Sequence, residues 1–183
     1  GTFHLKTGYN LTAQVPPVTV RKLLSVLKAK SPIALEGEVK ADVRVTGAVD
    51  KPILSGIVST TRPARVDKVT FSRVNARFRL ANAVLSVPLL QATPTIGGEV
   101  IGRGQLALSP QGRLSFVAQG QGIPGDAAAR LYNASLPFTV GTVAAQARIT
   151  GTVGNPRTEV RFQAPNATYP GSGELFLAGS DVF

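Results

Sequence analysis

Residues 37–52, GEVKADVRVTGAVDKP, recur as residues 141–156, GTVAAQARITGTVGNP, so that the two copies lie 104 residues apart. Apolar and polar residues alternate through both copies, which is typical of β-strands with one dry side and one wet side. A repeat built from such strands predicts a stack of similar units in one sheet. The positions that recur unchanged are Gly37, Val39, Ala41, Arg44, Thr46, Gly47, Val49 and Pro52.

The repeat divides the chain into three parts. We expect residues 1–34 to end one repeat with a short helix, residues 35–137 to form a complete repeat, and residues 138–183 to start the next. All three should belong to one continuous sheet. The sequence contains no Met, and residues 2–5 and 175–183 have the pattern of strands, so we expect a piece of a longer protein. The predicted fold class is all-β: an elongated, curled antiparallel sheet, or half-open β-taco, with one or two short helices.

Further strands and two helices follow from local periodicity. The alternation of residues 73–80 resumes at Leu85, Val87 and Leu89 after a turn predicted at Ala81 and Asn82. Residues 18–28 have helical spacing after a Pro16-Pro17 start signal. Residues 123–133 occupy the equivalent place before the second copy, with Asp126 as the predicted N-cap.

Composition limits the class of protein. The chain has 183 residues, 43% of them hydrophobic, a formal net charge of +10 and no Cys. The charge predicts attraction to polyanions such as anionic lipid headgroups, lipopolysaccharide or nucleic acid, or a well-solvated outer face. No apolar run approaches the ~18 residues that a membrane-spanning helix needs.

Residues for catalysis are scarce. His4 is the sole histidine, and the ten acidic residues are scattered along the chain. Glu36 and Glu38 flank Gly37 and could pair for acid–base chemistry, but the second copy has Val140 and Thr142 there, which favours a solvated surface. We therefore expect no enzyme activity, no catalytic residues, no metal site and no cofactor.

A glycine motif and a stripe of basic residues could indicate dinucleotide binding and nucleic-acid binding, respectively. Gly120, Gly122 and Gly125 spell G-x-G-x-x-G, but no acidic residue lies ~20 positions further on, as a dinucleotide site requires. The stripe lacks the exposed aromatic residues that stack on bases, so we expect no nucleic-acid partner. Its members are Lys68, Arg73, Arg77 and Arg79, with Arg103 close by, and we expect Arg73, Arg77 and Arg79 to form a basic rim or outer face.

The shared apolar phase of the strands is the candidate site. Repeated antiparallel strands can curl lengthwise into a trough with an apolar floor, and small residues at Ala41, Gly102, Gly104, Ala145 and Ala147 should leave room in it. The occupant that suits a long dry trough is a lipid acyl chain, because the trough shields methylenes from water. The alternative is an ordinary sandwich in which a second sheet covers the apolar face. The residues predicted to line the trough are Val43, Val45, Val74, Phe78, Leu85, Val87, Leu106, Leu108, Phe116 and Ile149.

Three motifs resemble the repeats of the TamB family, the inner-membrane component of the translocation and assembly module. They are V-T-G-x-V-x-x-P-x-L-x-G at 45–56, V-x-F-S-x-V-x-A-x-F-x-L at 69–80 and G-G-x-V-x-G-x-G-x-L at 97–106. Residues 21–28 are similar to the short helix that precedes each repeat in that family. The family belongs with the AsmA-like and bridge-like lipid transfer proteins.

The resemblance implies a periplasmic segment of a protein anchored in the inner membrane by a part of the parent chain not included here. It implies phospholipid conduction between the inner and outer membranes, with acyl chains as the bound partners. The alternative is a chaperone-like groove or scaffold that assembles outer-membrane proteins with an Omp85-type barrel. A plant relative would act in the chloroplast intermembrane space, linking the two import translocons. The family has no catalytic residues to carry over.

Overall fold

The computed structural model describes residues 2–4, 8–26, 35–109, 112–152, 154–178 and 181–182. In these residues the chain forms two short helices, α1 (Val20–Val26) and α2 (Gly125–Leu131), and fourteen strands. The strands are β1 (Thr2–His4), β2 (Gly8–Thr19), β3 (Leu35–Glu36), β4 (Glu38–Gly47), β5 (Ile53–Thr60), β6 (Ala64–Val66), β7 (Val69–Ala81), β8 (Val84–Pro94), β9 (Glu99–Ala107), β10 (Arg113–Pro124), β11 (Thr142–Thr152), β12 (Asn155–Ala164), β13 (Gly171–Ala178) and β14 (Asp181–Val182).

All of these strands belong to one antiparallel sheet. Its order is β1, β2, β4, β5, β7, and then β8 to β14 in sequence, while the short β3 pairs with β6 and β6 pairs with β7. Each long strand therefore pairs with the long strands before and after it in the chain. The predicted fold class, an all-β curled antiparallel sheet with one or two short helices, is confirmed.

The turn between β7 and β8 is set by the backbone conformation of two residues. Between β7 and β8 the connection is the two-residue turn Asn82–Ala83, with φ of 50° and 57°. Positive φ at both positions defines a type I′ turn, whose twist matches that of the strands it joins. The turn lies one residue later than predicted, because Ala81 still pairs with Val84 across the hairpin.

Both helices begin two residues later than the sequence predicted. α1 begins at Val20, because Val18 and Thr19 still pair with β4 as the end of β2, and the predicted residues 27 and 28 lie outside the described part of the chain. α2 ends at Leu131, two residues before the predicted end. The prediction of Asp126 as N-cap is wrong: Pro124 holds that position without a side-chain cap.

The repeat extends upstream of the recurring sequence. The register of β2 with β4 shifts between Val15 and Val18, and that of β10 with β11 shifts between Gly120 and Ile123. Each shift is a β-bulge just before the short helix. The two helices are also attached alike, since the backbone N–H of Val20 donates to the carbonyl of Gly37 at 3.0 Å and that of Gly125 to Gly141 at 2.7 Å.

A further bulge interrupts β8 at Pro88 and Leu89. The register with β9 passes from Val87↔Gly104 to Leu90↔Gly102, so β8 has one residue more than its partner. Proline in a central strand is expected at a bulge, because it has no N–H for the ladder. Because of the bulge, Leu89 lies on the same face as Arg77, its partner on β7, and Leu90 lies on the same face as Leu85 and Val87. The prediction that Leu89 continues the phase of Leu85 and Val87 is therefore wrong.

The sheet has no second layer among the described elements. The main tertiary contacts join strands that are neighbours in the sheet, apart from those of the helices with β2, β3 and β10. The accessible surface is 12252 Å² for 19.1 kDa. A compact monomer of this mass exposes about 8,400 Å². The predicted alternative of an ordinary two-sheet sandwich is therefore not what these residues form.

Candidate functional site

One face of the sheet is apolar from β2 to β12, and we call it the apolar face. Residues paired across antiparallel strands share a face, and successive residues of one strand alternate between faces. The pairing links the strands through continuous cross-strand rows of side chains on this face. The longest aliphatic row is Leu11, Val45, Leu54, Leu80, Leu85, Leu106 and Leu114.

This row joins seven adjacent strands. At ~4.8 Å between strands it extends for about 29 Å. A second row runs parallel to it through Val58, Ala76, Leu90, Gly102, Ala118, Ala147 and Val160, and between the two rows lie Val43, Gly56 and Phe78 on one side of the register shift in β8 and Val87, Gly104 and Phe116 on the other. In the rows from β2 to β12 the apolar face includes no charged residue, and its polar side chains are Thr60 and Thr158. The surface is thus a continuous uncharged band perpendicular to the strands.

The predicted lining residues fall on this face. Nine of them lie in strands with the apolar phase, and Leu108 follows the last residue of β9 with its N–H bonded to the carbonyl of Ala83 at 2.7 Å. The assignment of these ten residues to a lipid-lined trough remains a prediction. The strand pairing also places on this face Leu80, Leu114, Val160 and Phe162, whose apolar phase the sequence predicts, and Leu54, Val58 and Leu90, which the sequence did not single out.

Phenylalanine rings cover glycines on the apolar face. Phe78 pairs with Gly56, Phe116 with Gly104 and Phe162 with Gly173, each on neighbouring strands. A Cβ on Gly56 would lie 3.1 Å from Cε1 of Phe78, and one on Gly173 would lie 2.7 Å from Cζ of Phe162. A Cβ on Gly104 would overlap the ring of Phe116.

These pairs correct the interpretation of the small residues. Gly102 and Gly104 do not leave a gap, because the ring of Phe116 lies over both of them. The glycines instead let large rings lie flat along the sheet, an arrangement known as aromatic rescue of glycine. The floor is therefore smooth and hydrophobic, and any space for a ligand lies above the rings.

The side chains of the apolar face are mostly half-buried. The described hydrophobic side chains that are buried are Val39, Ala64, Ala76, Ala92 and Ala164, and none of the described large side chains is fully buried. Val39, Ala64, Ala92 and Ala164 lie at or near the strand ends that adjoin the two helices. The apolar face is thus most enclosed at the edge near the helices and more open elsewhere.

The opposite face, which we call the polar face, carries the predicted basic residues. Arg73, Arg77 and Arg79 alternate with the apolar phase of β7 and are all exposed. Arg103 lies on the same face of β9, two strands away. Lys68 lies in the turn before β7, where its ammonium group lies 5.1 Å from the ring centroid of Tyr132.

The candidate acid–base pair is separated by the fold. Glu36 belongs to β3 and accepts a hydrogen bond from Arg65 at 3.0 Å. Glu38 belongs to β4 and accepts one from the Thr61 hydroxyl at 2.6 Å. Each carboxylate is bound to a partner of its own, so the two do not form a paired site.

The other candidates also have structural roles. Gly120, Gly122 and Gly125 lie in the bulged end of β10 and the start of α2, and β10 pairs antiparallel with β11, so they do not form the βαβ unit of a dinucleotide site. In the part of the chain that the structure describes, no three His, Cys, Asp or Glu residues cluster as metal ligands would.

Asp126 anchors α2 to the segment just before β11. Its carboxylate accepts hydrogen bonds from the backbone N–H of Val140 at 2.9 Å and of Gly141 at 3.0 Å. These two bonds hold the pKa of Asp126 below its ordinary value, because they favour the charged carboxylate. Sequence reasoning assigned this residue to the helix end, while its partners belong to the second copy of the repeat.

Of the helices formed by the described residues, neither has the length and apolar character required to cross a membrane. No protein-family model matches the chain. No solved structure matches it significantly.

Two curated plant proteins are similar to this chain. One is Protein SUBSTANDARD STARCH GRAIN 4, chloroplastic, from Oryza sativa subsp. japonica, which is 26% identical over 195 residues and 87% of this chain. The other is Protein TIC236, chloroplastic, from Arabidopsis thaliana, which is 23% identical over 211 residues and 95% of this chain. The matches cover 9% and 10% of the two relatives, so the chain spans about a tenth of their length.

Proposed function

We propose that this chain is a segment of a hydrophobic groove that conducts phospholipids between two membranes. The observation that carries the proposal is the apolar face, which is uncharged from β2 to β12 and has no second layer over it in the described residues. Acyl chains lie along this face, and headgroups remain at its edges in water.

The energetics support a lipid ligand. A two-chain lipid exposes about thirty methylenes when it leaves a bilayer, at ~0.8 kcal/mol each, which gives a barrier above ~20 kcal/mol. A continuous apolar surface lowers this barrier along the whole route. The flat Phe78 and Phe116 rings contribute apolar area without projecting across the path, so a chain can slide over them.

The cellular setting is part of the proposal. We propose that the parent protein belongs with the TamB and AsmA-like proteins, is anchored in an inner membrane and acts in the periplasm or in the equivalent chloroplast compartment. The two chloroplast proteins are consistent with such a setting, since both cover nearly the whole chain at low identity. The chain has no catalytic role in this account, and an Omp85-type barrel is the proposed outer-membrane partner.

The rival cargo is polypeptide. A groove that receives unfolded outer-membrane proteins would use the same apolar face, together with pairing at a free strand edge. Cross-linking distinguishes the two cargoes. A photoreactive amino acid is introduced in cells at Val45, Phe78 or Leu106, each on the apolar face, and the adducts are identified by mass spectrometry.

Matched control positions lie next to these residues in sequence and on the polar face. They are Arg44, Arg79 and Gln105. We expect phospholipid adducts at the three apolar positions and few at the controls. Polypeptide adducts at the apolar positions would favour the chaperone function, and equal lipid labelling on both faces would contradict the proposal.

A further inference from the structure

The polar face of β5 to β10 has an unusual composition. In these strands, including the short β6, the acidic residues are limited to Glu99, at the first position of β9, and there is no Lys. The long strands of this region carry five arginines, all on the polar face, and none of them forms an ion pair with a described residue. They are Arg73, Arg77, Arg79, Arg103 and Arg113.

The neighbouring strands β12 and β13 show how this face accommodates carboxylates. Arg161 pairs across the strands with Glu174, and its Nε lies 2.9 Å from a Glu174 carboxylate oxygen. Its Nη2 lies 2.9 Å from Glu159 on the same strand. An arginine on this face thus binds two carboxylates when the chain supplies them, and the chain supplies none beside Arg77, Arg79 and Arg103.

The bulge at Pro88 adds a concavity to this surface. It has a volume of about 420 Å³ and lies between β8 and β10. Its polar lining residues are Ser86, Arg103, Gln105 and Ser115, and Val87, Pro88, Gly104 and Val117 complete the lining. These groups are hydrogen-bond donors, and a carboxylate accepts several such bonds at once.

Exposed apolar residues flank the arginines. Ile57 is the cross-strand partner of Arg77, and Ile101 lies two residues before Arg103; each is 49% exposed on the polar face. Protein interfaces are enriched in Arg and depleted in Lys, Asp and Glu, and they combine such charges with apolar contacts. Nucleic acid and lipid headgroups offer phosphate, whereas an acidic protein segment offers carboxylates for the arginines together with aliphatic side chains for the two isoleucines.

We propose that the polar face of β5 to β10 binds a protein partner through an acidic segment that also presents apolar side chains. Arg77, Arg79 and Arg103 bind its carboxylates, the concavity beside Ser86 receives one of them, and Ile57 and Ile101 contact its apolar residues. This site is independent of lipid conduction, because it lies on the opposite face of the sheet.

Binding of labelled peptides to the purified chain tests the proposal. Two peptides of equal charge are compared by fluorescence anisotropy, one with Glu residues spaced by Leu and one with Glu spaced by Ser. We expect the Leu peptide to bind more tightly. The triple variant Arg77→Gln, Arg79→Gln, Arg103→Gln should weaken its binding by about tenfold or more.

The matched control removes the same charge from exposed residues away from β5 to β10, with Lys51→Gln, Arg130→Gln and Arg157→Gln. Its binding should weaken by less than about threefold, since only long-range attraction is lost. Equal weakening by the two triple variants would overturn the proposal, as would equal binding of the two peptides. Tighter binding of oligothymidylate or phosphatidylglycerol vesicles at the same salt concentration would also overturn it. Thermal unfolding of each variant verifies that it is folded.

Discussion

The apolar face and the polar face are formed by the same strands, but their side chains are distributed differently. The apolar face is uniform, because uncharged rows continue through β2 to β12 without interruption. The polar face is divided: Arg161 is paired with Glu159 and Glu174, while Arg77, Arg79 and Arg103 have no such partners among the described residues. A uniform apolar face suits a ligand that moves along the molecule. A polar face with unpaired arginines in one region suits a partner that binds at that region.

The largest expected effect comes from placing a charge on the apolar face. Leu106→Asp inserts a carboxylate between Leu85 and Leu114, its partners on β8 and β10. We expect a loss of about 2 kcal/mol in the free energy of unfolding, since a half-buried charge lacks a partner there. Bound lipid should be lost as well. Chemical denaturation and lipid extraction measure the two effects.

The matched control for this charge is Gln105→Asp. Gln105 precedes Leu106 on the same strand and is exposed on the polar face. Its change should alter the free energy of unfolding by less than about 0.5 kcal/mol. If the two variants behaved alike, the distinction between the faces would fail.

The glycine–phenylalanine pairs give the second prediction. A methyl group at Gly104 displaces the Phe116 ring, so Gly104→Ala should cost about 2 kcal/mol of stability. Gly120→Ala on the same face should be tolerated, because a Cβ there would be 3.4 Å from its nearest neighbour, Cγ1 of Ile123. Urea unfolding of both variants tests this, and similar losses would show that the ring does not depend on the glycine.

The bulge in β8 gives a smaller contrast between adjacent residues. Leu90 lies on the apolar face opposite Ala76 and Gly102, whereas Leu89 lies on the polar face opposite Arg77. Leu90→Ala should therefore lower the free energy of unfolding by about 1 kcal/mol more than Leu89→Ala. If Leu89→Ala lost more stability than Leu90→Ala in denaturant unfolding, Leu89 would belong to the apolar face and the bulge at Pro88 would be contradicted.

Asp126 gives the smallest effect and a pH dependence. The hydrogen bonds that it accepts from Val140 and Gly141 hold its pKa in the folded state below the ordinary value of 3.8. Such a group stabilises the fold above its unfolded pKa, and this contribution is lost as the pH falls through the folded value. The thermal midpoint of Asp126→Asn should lie below that of the wild type at neutral pH, and the gap should close below about pH 4. A gap that is constant with pH would exclude the carboxylate as its cause.

The fold class and most of the apolar face were accessible from sequence because alternation is a local signal. Val43, Val45 and Phe116 show their phase within their own strands, so no knowledge of partners was needed. The register between strands was not accessible in the same way. The pairing of Phe78 with Gly56 and of Phe116 with Gly104 depends on turn lengths and bulges, and only the assembled sheet reveals that rings cover those glycines.

Two further differences have the same origin. Leu89 continues the alternation of Leu85 and Val87 in sequence, but Pro88 cannot donate to the ladder, and the bulge there reverses the phase. Asp126 has the sequence position of a helix cap, but its partners Val140 and Gly141 are the two residues just before β11. Pro88 was a sequence signal for the bulge, whereas nothing in the sequence indicated that Asp126 would bind Val140 and Gly141.

Native mass spectrometry of the purified chain, after brief exposure to phospholipid vesicles, tests whether the apolar face binds lipid. We expect protein peaks carrying the added mass of one or more phospholipids, with these adducts lost in Leu106→Asp and retained in Gln105→Asp. A chain that stays free of lipid, or adducts that are equally abundant in both variants, would contradict the claim that the apolar face holds acyl chains.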